Sequence, residues 1–222
     1  MKKGTLHLVG TFFHISFMPQ TNIAEILQGR VSIFIDSSNV FYISKRLRVR
    51  IDYEKVLQFF RNFDQDVKCY FYSAYQEGYE KQMEYFATLE KAGIVVRKKP
   101  LKFITTPRTT KGTKHQDKTK KSDALEPEEE GFFKGNMDVE LAIDAIRMMS
   151  QYDTFVLFSG DSDFHSLLAY LKEHGKNVVV ISHPGFVAEE LTETAHFINI
   201  GEYLRKKRRD QTINKPSHRT RG

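Results

Sequence analysis

Short apolar runs alternate with amphipathic stretches along most of the chain, and the alternation predicts strands and helices in turn. Residues 31–35, Val-Ser-Ile-Phe-Ile, are β-branched and aromatic and pass into Asp36-Ser-Ser-Asn39, the pattern of a buried strand entering a polar loop. Asp52 stands where an N-cap belongs for a helix through residue 63, with Val56, Leu57, Phe59 and Phe60 on its apolar face. Residues 67–74 read as a second strand, 80–91 as a helix closed by Gly93, and 94–96 as a third strand.

At residues 105–131 the periodicity gives way to Thr, Lys, Gly and Glu, which predicts a long charged loop, basic at first and acidic over 123–130. The pattern then resumes with a helix at 136–150, a strand at 154–158, a helix at 164–173 ended by Gly175, and a strand at 177–181. A short helix at 187–194 and a small strand at 197–200 follow. Strands that are apolar throughout and alternate with helices predict an α/β fold with a mainly parallel sheet covered on both faces.

Composition narrows the class. The 222 residues are 40% hydrophobic, 13% aromatic and 28% charged, which fits one globular domain with appended polar segments and excludes a disordered chain. The single cysteine, Cys69, excludes a disulfide framework and a Cys-based zinc site, the eight histidines show no ligand spacing, and a reducing cytoplasm is the expected compartment. Lys2 and Lys3 before an apolar run mimic a signal peptide, but His7 and His14 interrupt the run and no cleavage pattern follows. Residues 1–29 are therefore expected to be an N-terminal extension, with Met18 as an alternative start, and no run reaches the roughly 18 apolar residues that span a bilayer.

Charge is unevenly placed. The net +6 comes from 34 Lys and Arg against 28 Asp and Glu, yet 18 of the basic residues lie in two segments, 97–121 and 205–222, which hold only Asp117 and Asp210 as acids. Outside them 16 basic and 26 acidic side chains leave a body of charge about −10. A polyanionic partner would meet the two basic segments first. The last of them, 205–222, reads as a basic disordered tail, leaving 30–204 as the domain.

The body's acids concentrate the chemistry. Two predicted strands end in acid-bearing loops, Asp36-Ser-Ser-Asn39 and Ser159-Gly160-Asp161-Ser162-Asp163, and in an open parallel sheet such loops collect where strand order reverses. If those strands are neighbours the carboxylates converge, and such a cluster persists only by holding protons or a divalent cation. Oxygen donors favour Mg²⁺ or Mn²⁺. Each acid also has a structural alternative: Asp36 as a strand-end turn, Asp161 and Asp163 as a turn residue and a helix N-cap, and Asp138 as an N-cap at a helix start. Asp144, six residues beyond Asp138, lies about 240° round the helix and pairs naturally with Arg147, while Glu140 reads as solvated.

Phe-Ile-Asp36-x-x-Asn39, Asn-Met-Asp138-Val-x-Leu-Ala-x-Asp144 and Ser159-Gly-Asp161-Ser-Asp163-Phe, followed by Gly175-x-x-Val, resemble the NYN domain of the PIN-like nuclease superfamily, in its LabA-like branch. The resemblance spans about residues 30–203 apart from the charged loop. It implies a PIN-like three-layer α/β/α fold with a mainly parallel sheet of about five strands, and a metal-dependent ribonuclease leaving 5′-phosphate and 3′-hydroxyl ends. Carried over, Asp36, Asp138, Asp161 and Asp163 are the catalytic acids, with Asp36, Asp138 and Asp161 as ligands of Mg²⁺ or Mn²⁺, and Asn39, Ser159 and Asp144 in support. Ser37-Ser38 replaces the commoner Gly-containing pair after Asp36.

RNA, single-stranded, is the expected partner, with no membrane. Lys98, Lys99 and Lys102 near the loop and Arg205, Lys206, Lys207, Arg208 and Arg209 in the tail are the expected phosphate contacts. Among the aromatics Tyr70, Phe71, Tyr72, Tyr75, Phe132 and Phe133, most are expected in the core and one or two on bases. The alternative function is a catalytically weak RNA-binding or regulatory NYN module. A phosphatase of the haloacid dehalogenase type would need Asp-x-Asp where the chain has Asp36-Ser37-Ser38, and neither GxxxxGK[ST] nor GxGxxG is present.

Overall fold

The computed structural model describes residues 23–105 and 131–201. In chain order the elements are α1 (Ile23–Ile26), β1 (Val31–Asp36), α2 (Ser37–Leu47), α3 (Tyr53–Phe60), β2 (Lys68–Tyr75), α4 (Glu80–Lys91), β3 (Val95–Pro100), β4 (Lys102–Thr105) and β5 (Gly131–Lys134). They continue with α5 (Asp138–Arg147), β6 (Thr154–Phe158), α6 (His165–Glu173), β7 (Asn177–Ser182), α7 (Glu189–Thr194) and β8 (His196–Asn199), with single 3-10 turns at Met149–Gln151 and Ser162–Phe164.

Six strands make one parallel sheet in the order β3-β2-β1-β6-β7-β8. Every residue of β1 and of β6 is buried, which is why their sequences are apolar without alternation and why they hold the centre. Successive side chains point to opposite faces. Ile33 and Ile35 enter a core with Val40 of α2, Leu57 and Phe60 of α3, and Phe86 and Leu89 of α4. Phe34 enters a second core with Leu141 and Ala145 of α5, Leu168 and Leu171 of α6, and Leu191 of α7. The result is a three-layer α/β/α fold. The crossovers from β1 through β2 to β3 cover one face and those from β6 through β7 to β8 the other, so strand order reverses between β1 and β6.

Helix ends follow the local chemistry. The Asp52 carboxylate accepts from the Lys55 N–H, as expected of the cap of α3. Gly93 and Gly175, after α4 and α6, take φ of +89° and +73°, a left-handed turn that glycine adopts at low cost.

Three features differ from the sequence expectation, and the strand count agrees with it. Residues 37–39 are not a loop but the first turn of α2, because the Asp36 carboxylate caps it through Ser38 and Asn39. The sheet has the six strands that the pattern of apolar runs predicts, the short edge strand β8 included, against the round figure of five that the resemblance implied. The third strand runs on through Arg97, Lys98 and Lys99 to Pro100, since an edge strand tolerates exposed charge that masks its pattern. Finally, β4 and β5 form an antiparallel pair, Lys102 opposite Lys134, so the charged insertion springs from its own four-residue stem, too short to show a period. The core also takes in Ile26 and Leu27, and the Asn177 amide donates to the Ile26 carbonyl. Among the described residues, no helix is long and apolar enough to cross a membrane.

Candidate functional site

The carboxyl ends of β1 and β6 are fastened to each other by side chains. The Asp36 Oδ1 accepts from the N–H groups of Ser38 and Asn39 at 3.0 and 3.3 Å, and its Oδ2 accepts from the buried Ser159 hydroxyl at 2.9 Å. The same hydroxyl accepts from the Asp161 N–H at 3.2 Å, and the Gly160 N–H donates to Asn39 Oδ1 at 3.0 Å. Asp36, Asn39 and Ser159 thus hold the Ser159-Gly160-Asp161 turn in place. Burial pushes the Asp36 carboxyl above the ordinary aspartate value, against the pull of its Asn39, Ser159 and Ser38 hydrogen bonds.

Three carboxylates converge at this mouth. One oxygen from each of Asp138, Asp161 and Asp163 lies within 4.8 Å of the others. Asp161 is placed by β6 and caps the next 3-10 turn through the Asp163 N–H at 3.0 Å. Asp138 comes from the other side of the chain's insertion, as the first residue of α5. It does not cap that helix: Met137 occupies the cap position without a side-chain bond, and the Asp138 carboxylate instead accepts from the Asn136 amide. Burial, then repulsion from Asp36, Asp161 and Asp163, raises the Asp138 carboxyl from 3.8 to about 6, with Lys99 pulling it back. Oxygen donors this close, crowded enough to hold a proton well above the ordinary range, fit one hard divalent cation. Asp36, expected among the ligands, is not one of these three, although its charge acts on Asp138 and its two oxygens accept the hydrogen bonds of the turn.

Other expected residues lie elsewhere. Asp144 faces the sheet edge, accepting from the Tyr72 hydroxyl at 3.1 Å and pairing with Arg97 Nε at 3.2 Å, not with Arg147. The reason is helical phase: it points at β2 and β3 while Asp138 points at the strand ends. Glu140 is not simply solvated, since its Oε1 takes the Lys99 ammonium at 2.7 Å and its Oε2 is enclosed. Lys99 therefore enters as half of an ion pair beside Asp138. Lys98 sits 5.5 Å over the Phe86 ring, and Lys102 is exposed on β4. Arg205, Lys206, Lys207, Arg208 and Arg209 lie outside the described residues, as does nearly all of the 105–131 loop. Tyr70, Phe71 and Tyr72 are core side chains.

The packing at Gly160 goes beyond its place in the acidic loop. A Cβ there would stand 1.8 Å from the Phe186 carbonyl oxygen and 2.8 Å from Ser182 Oγ, so the segment before α7 closes directly onto the acidic turn. The Ala188 N–H donates to the Gly160 carbonyl at 3.0 Å. The signal for this was slight, a lone Gly between a strand and two acids.

Comparison with known proteins gives the family and the fold. The chain is 29% identical over 177 residues to the low amplitude and bright protein LabA of Synechococcus elongatus, covering 78% of this chain and 85% of that protein. A crystal structure of a protein of unknown function from Vibrio parahaemolyticus shares the fold, with a TM-score of 0.53 at 23% identity over 78% of this chain and 96% of that one. The family profile described as the NYN domain matches residues 30–201, and the chain belongs to the NYN domain family.

Proposed function

We propose that this chain is a divalent-metal-dependent ribonuclease that hydrolyses phosphodiester bonds of single-stranded RNA at its acidic cluster. Family membership makes it a nuclease-type or RNA-related module. The finer reading is carried by one observation: the Asp138, Asp161 and Asp163 carboxylates crowd within 4.8 Å at the ends of the strands where sheet order reverses. Crowded carboxylates are costly unless a proton or cation neutralises them. Asp138, Asp161 and Asp163 would hold Mg²⁺ or Mn²⁺, with Asp36 close by. The bound ion would acidify a water and offset the charge that develops on the phosphate.

The chain's own groups position that chemistry. Asp36, acting through the Ser159 hydroxyl, fixes the Asp161 backbone, and Asn39 fixes Gly160. Lys99, balanced by Glu140, sets a cation beside Asp138 where an approaching phosphate needs one. The basic segments would add affinity. A second reading, an RNA-binding or regulatory module with weak turnover, is favoured by the engagement of both Asp36 oxygens in turn bonds.

Cleavage of an end-labelled single-stranded RNA with Mn²⁺, Mg²⁺ or EDTA separates the two. Wild type should cleave only with metal. Asp161→Asn should lose more than about a hundredfold, and Asp36→Asn between about ten and a hundredfold as a support of the ligand turn. Full metal-dependent cleavage by Asp161→Asn would overturn the nuclease assignment, and RNA binding without any cleavage by wild type would establish the binding module.

A further inference from the structure

Resting on the single-stranded RNA reading above, the geometry points to α2 as the track along which the strand leaves the acidic cluster, with one nucleobase stacked on Tyr42 and Phe186 and the next phosphates on Arg46 and Lys45. Asn39, Tyr42 and Arg46 recur at spacings of three and four, so they form one stripe on α2, away from the buried side chains of Val40 and Ile43. The stripe begins at the site, because Asn39 Oδ1 holds the Gly160 N–H next to Asp161. Tyr42, one turn on, is 56% exposed although it is a large aromatic side chain. Arg46 follows about 6 Å further along the axis, and Lys45 flanks it.

Phe186 completes the aromatic surface from the other side of the mouth. Its ring meets the Tyr42 ring edge-on at 5.8 Å, and its carbonyl lies against Gly160. The Phe186 N–H donates to the His183 carbonyl at 2.8 Å, which fixes the turn carrying the ring. Two rings at right angles beside a phosphate-cleaving site form a ledge suited to a flat, uncharged base, since stacking accepts any base and needs no hydrogen-bond readout.

The cations fit the same strand. None of Lys45, Arg46 and Arg48 forms a salt bridge among the described residues. Arg48, the residue that ends α2, holds φ of +53°, a left-handed backbone that a non-glycine side chain adopts only at some cost. Cations at a helix C-terminus also suit the helix dipole, but the dipole calls for no exposed aromatic one turn earlier. Duplex RNA offers no free base face to the ledge, so the track selects single strands. Phe41 is an internal control: 68% exposed and adjacent in sequence, it points about 100° away from Tyr42.

Fluorescence anisotropy of a labelled single-stranded oligoribonucleotide tests the track, with every variant built on Asp161→Asn so that the strand stays intact. Tyr42→Ala and Phe186→Ala should each weaken binding about tenfold, whereas Tyr42→Phe and Phe41→Ala should bind like the parent. Arg46→Gln should lower the slope of log affinity against log salt by about 0.7. An oligonucleotide with abasic positions should bind the parent as weakly as the intact strand binds Tyr42→Ala, and Tyr42→Ala should not respond to base removal. Parent-like affinity of Tyr42→Ala and Phe186→Ala, or no RNA binding by the parent at low salt, overturns the track. Because affinity is read without turnover, wild type that never cleaves leaves this result standing, and wild type that cleaves while these variants bind alike defeats the track alone.

Discussion

Asp138 is where the charge crowding of the site is concentrated, and its titration gives that crowding a sign. Folding raises its carboxyl from 3.8 to about 6, mainly through burial and then through its acidic neighbours. The folded chain therefore keeps a proton that the unfolded chain has released, so the contribution to stability is full below about pH 4 and is lost as pH rises through about 6. Asp138→Asn removes the penalty. In EDTA at pH 7.5 this variant should be more stable than wild type by on the order of 1 kcal/mol once solvent screening of a half-buried group is allowed for, and the gap should narrow to about a third of that at pH 4.5. Thermal melts at the two pH values check it, and a destabilised Asp138→Asn at pH 7.5 contradicts it. Mn²⁺ should raise the wild-type melting temperature and leave the variant unmoved, because the ion needs the ionised carboxylate. Gly160 sets a second limit at this scale. Since a Cβ there meets the Phe186 carbonyl, Gly160→Ala should cost about 3 kcal/mol in denaturant unfolding and open the mouth of the site. Asp36 was legible because it ends an apolar run, and Asp161 because it follows one after Ser159 and Gly160. The Asn39 to Gly160 bond was not, because it joins residues 121 apart in the chain and no local pattern encodes a pairing at that range.

Elements carry the next level of the argument, and α5 shows how two acids on one helix divide their work. Its first residue, Asp138, enters the cluster, while Asp144 binds the sheet edge through Tyr72 of β2 and Arg97 of β3. Asp144→Asn should keep metal-dependent cleavage within a few-fold and lower stability by about 1 kcal/mol, as removal of one charged partner from a half-exposed pair implies. Unfolding and cleavage measured on the same preparation check this, and a hundredfold loss of cleavage at unchanged stability would place Asp144 in the site. Strands β1, β6 and β7 were legible because central parallel strands are apolar on both faces. Helix α2 was hidden for a physical reason: Ser37-Ser38-Asn39 reads as a turn until the Asp36 carboxylate reaches their N–H groups, and a cap is a contact rather than a composition. The β4 and β5 pair was hidden by length, with an insertion between its halves that removes any hairpin signature.

On the scale of the whole molecule the charge distribution poses a problem that the RNA reading has to meet. An acidic cluster set in a body of charge about −10 repels a polyanion, and the opposing charge lies in the two basic segments. Residues 205–222 carry eight Lys and Arg, five of them at Arg205, Lys206, Lys207, Arg208 and Arg209, against Asp210 alone, so removing that +7 takes the chain from +6 to −1. A chain cut before Arg205 keeps every group of the cluster and of α2, so the chemical step should be untouched while the approach of RNA is not. Its kcat should match the full chain and its KM should rise, most steeply at low salt, with the two proteins converging as added salt screens the difference. The slope of log affinity against log salt should fall by about 0.7 for each phosphate that the tail no longer neutralises. Steady-state cleavage at two salt concentrations decides it: an unchanged KM at low salt would remove the tail from substrate capture and leave α2 with the segment around Lys98, Lys99 and Lys102 to counter the body's charge. A lowered kcat at unchanged KM would instead tie the tail to the reacting geometry, a role that long-range attraction cannot explain.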